Sequence, residues 1–449
     1  MPCSPATPPP ETHSSRDAAA ARACDVLVVG GGPAGATIAA LLAERGRHVV
    51  VLEKARHPRF HIGESLLPAN VALFQRLGVG EEVERIGMRK WGVEFVSPEH
   101  AHRSFVEFGD AWDKSMPYAW QVRRSELDEI LIRHAQRRGA TVIEGCRARQ
   151  VVFDADGATV HAEDEGGVQQ TWRARFLVDA SGRDTLLANQ FGCKQKNRRH
   201  NSAALYAHYR GVERLPGKLE GNITIFWFAH GWFWLIPLAD GTTSIGAVCW
   251  PAYLKSREVS VPAFFDATVA LCPALAQRMA RAERISEVHA TGNYSYASTR
   301  SSGARYLMLG DAYAFIDPIF SSGVYLAMQN AFAGIDVVET TLDRRAAAAA
   351  RRRYDQLVRH GPRQFSWFIF RVTNPTMREF FMAPGNPLRV KEALLSLLAG
   401  DIYGKTPIWP SILAIKALYY LVSVGNLRRT WRAWKRRRVN IRDGGALAS

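Results

Sequence analysis

The chain has 449 residues, of which 47% are apolar, so it can bury a large core in two closely joined domains with shorter terminal segments. Its formal net charge at pH 7 is +16, but no recognised nucleic-acid motif accompanies the basic excess, so no nucleic-acid partner is predicted. The six cysteines are scattered without a CxxC pair, which argues against a metal site or a disulfide framework and favours a reducing, cytoplasmic location.

The first segment, residues 1–22, is rich in proline, serine, threonine and alanine. It lacks the apolar stretch of a secretory signal. We therefore predict a disordered leader and a folded chain that begins at residue 23.

A strand, a glycine-rich turn, a helix and a second strand follow within about thirty residues. The glycines of GGGPAG fit a GxGxxG loop, which permits a tight turn, close approach of the backbone to a pyrophosphate and close packing of helix on sheet. The helix N-terminus then faces the phosphates, and a glutamate that ends the second strand can accept a hydrogen bond from a ribose hydroxyl. The residues predicted to bind a dinucleotide are Gly30, Gly32, Pro33, Ala34, Gly35 and Glu53.

Three later motifs indicate which dinucleotide is bound. Arg124 in VRRSELDEIL, Asp179 in FLVDASGRDT, and Gly310 with Asp311 in YLMLGDAYAFIDP follow one another along the chain. In these segments the chain resembles the flavoprotein monooxygenase class, in which the matching residues lie against FAD. The resemblance implies that these four residues contact FAD, and the lack of a second GxGxxG predicts no separate NAD(P)H domain.

The predicted architecture is an α/β fold. A Rossmann-like FAD-binding domain over residues 23–342 receives an inserted mixed β-sheet substrate domain at about 90–120 and 195–300. Runs such as ATVHAED, NITIFWF and TSIGAVCW alternate apolar with polar or aromatic residues, and we assign them to this inserted sheet. A helical C-terminal region over 343–424 and a basic tail over 425–449 complete the prediction.

The segment GWFWLIP, residues 231–237, places two tryptophans on one face of an extended strand. Trp232 and Trp234 would wall a cavity, and Pro237 would end the strand's ladder. Taken alone, such an aromatic stripe is equally compatible with ordinary core packing. The segment resembles the tryptophan signature of the flavin-dependent halogenases, which implies that these rings line the passage between flavin and substrate.

A second signature follows GDAYAF. Phe315, Pro318, Ser321 and Gly323 satisfy an FxxPxxSxG spacing that resembles a halogenase motif. Successive backbone N–H groups at Ser322 and Gly323, in a turn that opens a helix, can form an anion-binding concavity. The resemblance implies a halide site there, whereas the residues alone also allow a simple helix cap beside the flavin.

Lys90 in MRKWGVEF comes after a GES motif that ends at Ser65. In the halogenase family a lysine in a corresponding stretch is taken to hold hypohalous acid or to carry the halogen as a haloamine. An ammonium can polarise the oxidant toward an aromatic carbon, and a lysine with a pKa lowered by burial could serve the haloamine route. Lys90 is thus the implied catalytic residue, Ser65 is expected to contact the cofactor, and the alternative for Lys90 is an exposed strand-edge residue.

Phe320 departs from one branch of the family. Tryptophan halogenases place a carboxylate just before the Ser-x-Gly turn, where a general base would remove the proton from the arenium intermediate. Since Phe320 holds that place, the chain resembles the branch acting on phenols, pyrroles or carrier-tethered aryl groups. Together with Pro318, it is expected to line the substrate passage.

The resemblance implies a mechanism. A separate NAD(P)H:flavin reductase supplies FADH2, which reacts with O2 to give a C4a-hydroperoxide; chloride or bromide attacks it, and hypohalous acid passes to Lys90 and an electron-rich aromatic substrate. The alternatives are an FAD-dependent aromatic hydroxylase or a geranylgeranyl-reductase-like flavoprotein, which share the flavin motifs but need neither both tryptophans nor Lys90. A non-enzymatic adaptor with a vestigial flavin site is a further alternative.

The tail from Gly425 to Ser449 carries eight Arg or Lys residues against Asp443 alone. The apolar run that precedes it, residues 407–424, is interrupted by a proline and a lysine and is barely long enough to span a bilayer, so no transmembrane helix is predicted. The tail is compatible with a peripheral contact at the inner membrane face or with docking of an acidic carrier protein. A helical cap with a solvated basic end is the simpler alternative.

Overall fold

The computed structural model describes five stretches of the chain, residues 21–197, 200–292, 295–382, 385–404 and 406–442. Most of the predicted leader therefore lies outside the described residues, although Arg22 already belongs to the first strand. The end of the predicted basic tail, residues 443–449, also lies outside them.

The described residues form twenty strands, β1 (Arg22–Val29), β2 (Val49–Glu53), β3 (Met88–Lys90), β4 (Gly92–Val96), β5 (Ser104–Glu107), β6 (Ala119–Gln121), β7 (Thr141–Glu144), β8 (Cys146–Phe153), β9 (Ala158–Asp164), β10 (Gln169–Asp179), β11 (Lys194–Lys196), β12 (Ala203–Arg210), β13 (Ile223–Phe228), β14 (Gly231–Pro237), β15 (Thr243–Cys249), β16 (Glu283–Arg284), β17 (His289–Thr291), β18 (Tyr296–Ser298), β19 (Tyr306–Met308) and β20 (Ala314–Phe315).

They also form fourteen α-helices, α1 (Pro33–Ala43), α2 (Pro68–Leu77), α3 (Gly80–Ile86), α4 (Arg124–Arg137), α5 (Leu186–Gln190), α6 (Pro251–Lys255), α7 (Val261–Ala270), α8 (Pro273–Arg278), α9 (Gly323–Leu342), α10 (Ala348–Ile369), α11 (Pro375–Met382), α12 (Val390–Ala399), α13 (Trp409–Gly425) and α14 (Leu427–Arg442).

The first sheet carries the Rossmann-like domain. Its strand order is β7-β2-β1-β10-β9-β8, with β19 paired to β10. The pairs β7–β2, β2–β1, β1–β10 and β10–β19 are parallel, and β8 and β9 add an antiparallel edge. Strand β2 is buried along its whole length, as expected for a strand covered on both faces. The parallel strands end at one edge of the sheet, where α/β folds bind ligands.

The second sheet confirms the predicted mixed sheet. Its strand order is β16-β12-β15-β14-β13-β4-β5, with β17 paired to β12, and the β13–β4 pair is parallel among antiparallel neighbours. The face bearing Phe233 and Leu235 packs on α7 and α8, whereas Trp232 and Trp234 belong to the large core shared with the first domain. The sheet thus presents its tryptophan face to the Rossmann-like domain.

The prediction that ATVHAED belongs to the inserted sheet is wrong. This run is β9, which pairs with β8 and β10 of the first sheet. Alternation of apolar and polar residues reports that a strand is half-buried, but it carries no information about which sheet the strand joins.

The last part of the chain that the structure describes is helical and contains α10 to α14. Helix α14 covers most of the predicted basic tail, and Arg429 ties it to Glu99 and Glu379 at 2.7 and 3.1 Å. Among the described residues, no single helix is both long and apolar enough to cross a membrane; α13 and α14 meet that test only as a pair, which is bent by 101°.

Candidate active site

A cavity of about 1340 Å³ lies between the carboxyl edge of the first sheet and the tryptophan face of the second. Its wall includes residues that directly follow β1, β2, β10 and β19, together with residues of β14. Most of the predicted site residues line it. Four predicted site residues do not line this cavity, Gly35, Lys90, Asp179 and Phe320.

The glycine loop permits two close approaches of backbone. Gly30 has a φ of 101°, and a Cβ added there would lie 2.2 Å from the carbonyl oxygen of Ala180. A Cβ on Gly35 would lie 1.9 Å from the carbonyl oxygen of Gly30. Gly35 therefore allows α1 to pack on the loop rather than touching a ligand, whereas Gly30 shapes the cavity edge.

The N-terminus of α1 opens onto the cavity. Gly32 is its cap, Pro33 occupies the first turn, and that turn contains no acidic residue. The guanidinium of Arg59 lies 3.5 Å from where a Cβ on Gly32 would stand. The helix dipole and Arg59 together make this end suitable for a diphosphate. The sequence motifs did not identify Arg59.

Glu53 is held in place by two backbone groups. Its Oε2 accepts from the Gly31 N–H at 2.6 Å, and its Oε1 accepts from the Ala55 N–H at 2.9 Å. The residue is buried yet lines the cavity. A carboxylate fixed in this way has remaining lone pairs with which to accept from a ribose hydroxyl.

Arg124 forms a rigid ion pair at the cavity wall. Its Nε and Nη2 donate to the two carboxylate oxygens of Asp128 at 2.9 and 3.0 Å, and its Nη1 donates to the carbonyl oxygen of Ile62 at 3.0 Å. Although burial favours the protonated acid, Arg124 holds the pKa of Asp128 below its usual range. Burial, with Arg124 as a second cause, lowers the pKa of the neighbouring His61 to about 4, so this lining histidine is neutral.

The carboxylate of Asp179 binds the backbone of the loop that follows β10 and does not line the cavity. Its Oδ1 accepts from the Ser181 N–H at 3.0 Å, and its Oδ2 accepts from the Leu187 N–H at 2.8 Å. Burial raises the pKa of Asp179. The side chain thereby sets the path of the Ala180–Asp184 loop, whose residues do line the cavity.

Asp311 is influenced by two arginines, the predicted Arg124 and also Arg183, which was not among the predicted site residues. It sits in a 3-10 turn that begins at Gly310, where φ is 53°. Burial raises the pKa of Asp311 to about 6, and Arg183 and Arg124 oppose that shift. Arg183 lines the cavity, with its guanidinium bonded to Thr291 and to the carbonyl oxygen of Gly292.

These features fit FAD. The glycine loop and a helix N-terminus without acids suit a diphosphate, the fixed carboxylate suits a ribose, and the cavity is long enough for the rest of the cofactor. Of the lining residues, Glu53 would hold the adenosine ribose, Ala34 would lie at the diphosphate, and Asp311 and Arg124 would lie toward the ring half.

The tryptophan wall is rigid. The ring centroids of Trp232 and Trp234 lie 6.0 Å apart, and Nε1 of Trp234 donates to Oγ of Ser244 at 3.1 Å. A Cβ on Gly246 would lie 2.1 Å from the Trp234 ring, so the neighbouring strand leaves room for that ring only because residue 246 is glycine. Strand β14 ends at Pro237, as the sequence predicts.

The Ser-Ser-Gly turn opens α9 toward the cavity. Ser321 adopts a φ of 55°, Ser322 caps the helix, and Gly323 begins it. Its first turn contains no acidic residue, and a Cβ on Gly323 would meet no atom within 4 Å. The N–H groups at a helix start lack intrahelical acceptors, so they are free to face an anion in this open space.

Phe320 points into an aromatic cluster instead of the cavity. Its ring centroid lies 6.4 Å from that of Phe365 and 6.2 Å from that of Phe381. The cluster continues to Phe95 and Trp227 of the second sheet. The C-terminal helices therefore cover the side of the turn that faces away from the flavin cavity.

Lys90 is buried, with 2% of its surface exposed, so the strand-edge alternative is wrong. Its Nζ donates to Oγ of Ser65 at 3.0 Å and to the carbonyl oxygen of Leu66 at 3.1 Å, and it lies 5.2 Å from the Phe108 ring centroid. It forms no ion pair with any carboxylate in the described part of the chain. Burial lowers the pKa of Lys90 to about 7.

Comparisons with known proteins bear on this site. The model of the FAD binding domain family matches residues 23–359. The chain is 29% identical to 1H-pyrrole-2-carbonyl-(peptidyl-carrier protein) chlorinase of Pseudomonas fluorescens, covering 84% of this chain and 89% of that protein. It is 35% identical to tryptophan 2-halogenase of Chondromyces crocatus, covering 68% of this chain but only 59% of that protein.

Solved structures give the same picture. A flavoprotein/dehydrogenase from Cytophaga hutchinsonii has a TM-score of 0.83 and 27% identity, covering 90% of this chain and 100% of that one. The myxobacterial chondrochloren halogenase CndH, described as a variant of FAD-dependent halogenases, has a TM-score of 0.75 and 31% identity, covering 87% of this chain and 93% of that one.

Proposed function

Since the chain belongs to the flavin-dependent halogenases, a family of FAD-binding enzymes, we propose that it transfers chloride or bromide to an electron-rich aromatic ring. The observation that carries this proposal is the contact between Lys90 and Ser65. It links a buried amine outside the cavity to a hydroxyl on the cavity wall, as separate sites for oxidant formation and halogen transfer require.

Reduced FAD, delivered by a separate NAD(P)H:flavin reductase, supplies with O2 the two-electron oxidation that turns halide into hypohalous acid. The protein's part is to bind and orient. The start of α1 holds the diphosphate, Glu53 accepts from the ribose, and Asp311 and Arg124 lie along the remaining cavity.

Halide binds at the start of α9. The N–H groups of Ser322 and Gly323, together with the positive end of the helix dipole, favour an anion. The open space at Gly323 leaves room for one, and no acidic side chain in the first turn repels it.

Trp232 and Trp234 exclude water from the route between the halide turn and Lys90. Both rings line the cavity and are buried. Hypohalous acid that cannot escape or exchange protons with bulk water reaches the amine before it reacts elsewhere.

Lys90 holds or carries the halogen. With a pKa of about 7, both its ammonium and its amine are populated near neutral pH. The ammonium form would hydrogen-bond the oxidant and polarise it, and the amine form would accept the halogen as a haloamine. The Ser65 hydroxyl keeps the nitrogen at the boundary in either state.

The proposed substrate is a phenol, a pyrrole or a carrier-tethered aryl group. The position before the Ser-x-Gly turn holds Phe320, whose ring packs in an aromatic cluster. This position therefore supplies no carboxylate that could act as a general base for free tryptophan. Similarity to an enzyme that chlorinates a carrier-tethered pyrrole supports this choice, although a tryptophan 2-halogenase is also similar.

A carrier-tethered substrate would be presented by an acidic partner docked on α14. The outer face of this helix exposes five cations and two tryptophans, Arg428, Trp431, Arg432, Trp434, Lys435, Arg436 and Arg438. Removal of the residues after Asn426 should abolish binding of an acidic carrier protein in a titration. Unchanged carrier binding would reject this docking site, and loss of sedimentation with anionic vesicles alone would favour a lipid surface.

The test of the function combines the purified protein with FAD, a flavin reductase, NADH, O2 and bromide, and offers a panel of phenols. Mass spectrometry should reveal products with the bromine isotope doublet. Hydroxylated products without brominated ones would eliminate halogenation in favour of an aromatic hydroxylase.

A further inference from the structure

The side chain of Arg437, on helix α14, contacts the body of the protein. Arg437 donates from Nη2 to Nδ1 of His200 at 3.0 Å and from Nη1 to the carbonyl oxygen of Phe370. Its guanidinium also lies 5.9 Å from the ring centroid of Trp250. Burial lowers the pKa of Arg437 to about 10, so it remains a cation at neutral pH. Its neighbours Arg436 and Arg438 are exposed.

His200 connects this cation to an acid. The ring is buried, with 3% exposed, and lies 4.8 Å from the Phe370 ring. Nε2 lies 3.2 Å from Oδ2 of Asp317. Since a guanidinium can only donate, Nδ1 of His200 must accept, which assigns its proton to Nε2. His200 is therefore a neutral imidazole that donates to Asp317.

Asp317 in turn holds the start of the turn that leads to α9. Its Oδ2 accepts from Oγ of Ser202 at 2.9 Å as well as from His200, and its Oδ1 accepts from the Ile319 N–H at 3.2 Å. That last bond caps the 3-10 turn Pro318–Phe320. The turn passes directly into Ser321, whose φ of 55° is unfavourable for a residue with a Cβ.

A strained turn keeps its shape only where its surroundings hold it. Here Oδ2 of Asp317 accepts hydrogen bonds from His200 and Ser202, and Oδ1 accepts one from the backbone of the turn. We propose that Arg437, acting through His200 and Asp317, positions the turn from Pro318 to Gly323, so that helix α14 is part of the halide site. This inference rests on the proposed function, since it takes that turn as the place where halide binds.

The structure supplies two matched controls. Arg429 anchors the same helix to Glu99 and Glu379 but does not touch His200. Arg352 is exposed on helix α10 and lies outside the surface of α14. Replacing Arg429 therefore loosens the docking of α14 without breaking the chain of contacts to Asp317, and replacing Arg352 only changes surface charge.

The experiment compares Arg437→Ala, Arg429→Ala and Arg352→Ala as full-length proteins loaded with FAD. In Arg437→Ala we expect the KM for bromide to rise by about tenfold while the Kd for FAD stays within about twofold. The two controls should leave the bromide KM unchanged. An unchanged bromide KM in Arg437→Ala, or an equal rise in Arg429→Ala, would overturn the proposal.

A double-mutant cycle tests whether Arg437 and His200 act on the KM for bromide through each other or independently. If Arg437 acts through His200, then His200→Ala combined with Arg437→Ala raises the bromide KM no more than either single change does. Additive effects would mean that the two residues act separately and would also overturn the proposal.

Circular dichroism of the flavin visible bands provides a readout that does not depend on turnover. The turn borders the flavin cavity through Pro318, so Arg437→Ala alone should alter these bands. If the wild-type protein fails to halogenate but the bands still change only in Arg437→Ala, the proposed function fails while the positioning role stands. Identical bands in all variants would reject the positioning role.

Discussion

The side-chain nitrogen of Lys90 lies 3.0 Å from the hydroxyl oxygen of Ser65, and this hydrogen bond crosses the wall of the flavin cavity. Ser65 lines the cavity, whereas Lys90 lies behind it. A second bond, to the carbonyl oxygen of Leu66, fixes the nitrogen from the same strand-like segment. The amine is therefore held behind the cavity wall rather than on it.

Replacement of Lys90 by methionine tests its chemical role, because methionine keeps a long flexible side chain in the buried site and removes the amine. We expect the rate of product formation to fall by at least about 100-fold, within the range of roughly 10²–10⁴ that a positioned acid or base contributes. The Kd for FAD should not change, since Lys90 does not line the cavity. Product analysis and a flavin fluorescence titration measure the two quantities.

The matched control for that change is Lys218→Met. Lys218 is exposed and pairs with Glu107 at 3.0 Å. Its loss should leave the rate unaltered, and an equal fall in both variants would remove Lys90 from the chemistry.

The stability of the protein should depend on pH through Lys90. Burial lowers its pKa in the folded chain to about 7, from 10.5. Between these values the unfolded chain binds the proton more tightly, so the contribution of Lys90 to the free energy of unfolding becomes more favourable as pH rises through this window. Below it, both states are protonated and the fold carries the full cost of a buried charge.

Thermal melts of the wild type and Lys90→Met across this window measure the effect. The Met variant lacks the titration, so its advantage in Tm over the wild type should be largest near about pH 6 and should shrink toward about pH 9. Parallel curves for the two proteins would show that Lys90 titrates near its ordinary pKa.

In Trp234→Phe, we expect hypohalous acid to escape from the proposed passage into solvent. A smaller ring that cannot donate to Ser244 leaves space beside β14 for water and for the oxidant. We expect the share of hypohalous acid captured by a diffusible trap such as monochlorodimedone to rise several-fold relative to substrate halogenation. Phe233→Leu, on the opposite face of the same strand, is the control and should leave that share as it is.

Glu53→Gln should weaken FAD binding. A hydrogen bond to a charged group contributes roughly 1.5–3 kcal/mol, so the Kd for FAD should rise by about 10- to 100-fold. Fluorescence titration measures it, and the exposed Glu258→Gln serves as the control. A Kd for Glu53→Gln equal to that of the wild type would mean that the carboxylate only shapes the loop.

Gly323→Ala tests halide binding at the turn without changing the stability of the fold. An added methyl group would meet no atom within 4 Å, so the Tm should stay the same. The methyl group would occupy the open space at the start of α9, and the KM for bromide should rise by about tenfold with the Kd for FAD unchanged. A bromide KM equal to that of the wild type would place the halide elsewhere.

Several features could be predicted from the sequence because they are local. The glycine loop, the strand that contains both tryptophans and the helix that begins at Gly323 each depend on residues within a few positions of one another. Alternation along one strand suffices to place Trp232 and Trp234 on one face. Local pattern failed for ATVHAED, since alternation says nothing about the partner strand.

Other features depend on contacts between distant parts of the chain. The lining arginines Arg59 and Arg183 were not among the predicted residues, because Arg59 belongs to no motif and the motif that contains Arg183 points to Asp179 instead. Asp179 belongs to a motif, but only the folded loop shows that its carboxylate is occupied by Ser181 and Leu187.

The sequence by itself therefore determined the α/β framework, the FAD-binding motifs and the family, because each is written in closely spaced residues whose conformations are set by neighbours. Tertiary structure alone decided that Lys90 is buried against Ser65, that Phe320 turns away from the cavity, and that Arg437 reaches His200. The last contact spans 237 positions. Packing of separate elements sets burial, pKa and such long-range contacts, and no spacing rule within a single element encodes them.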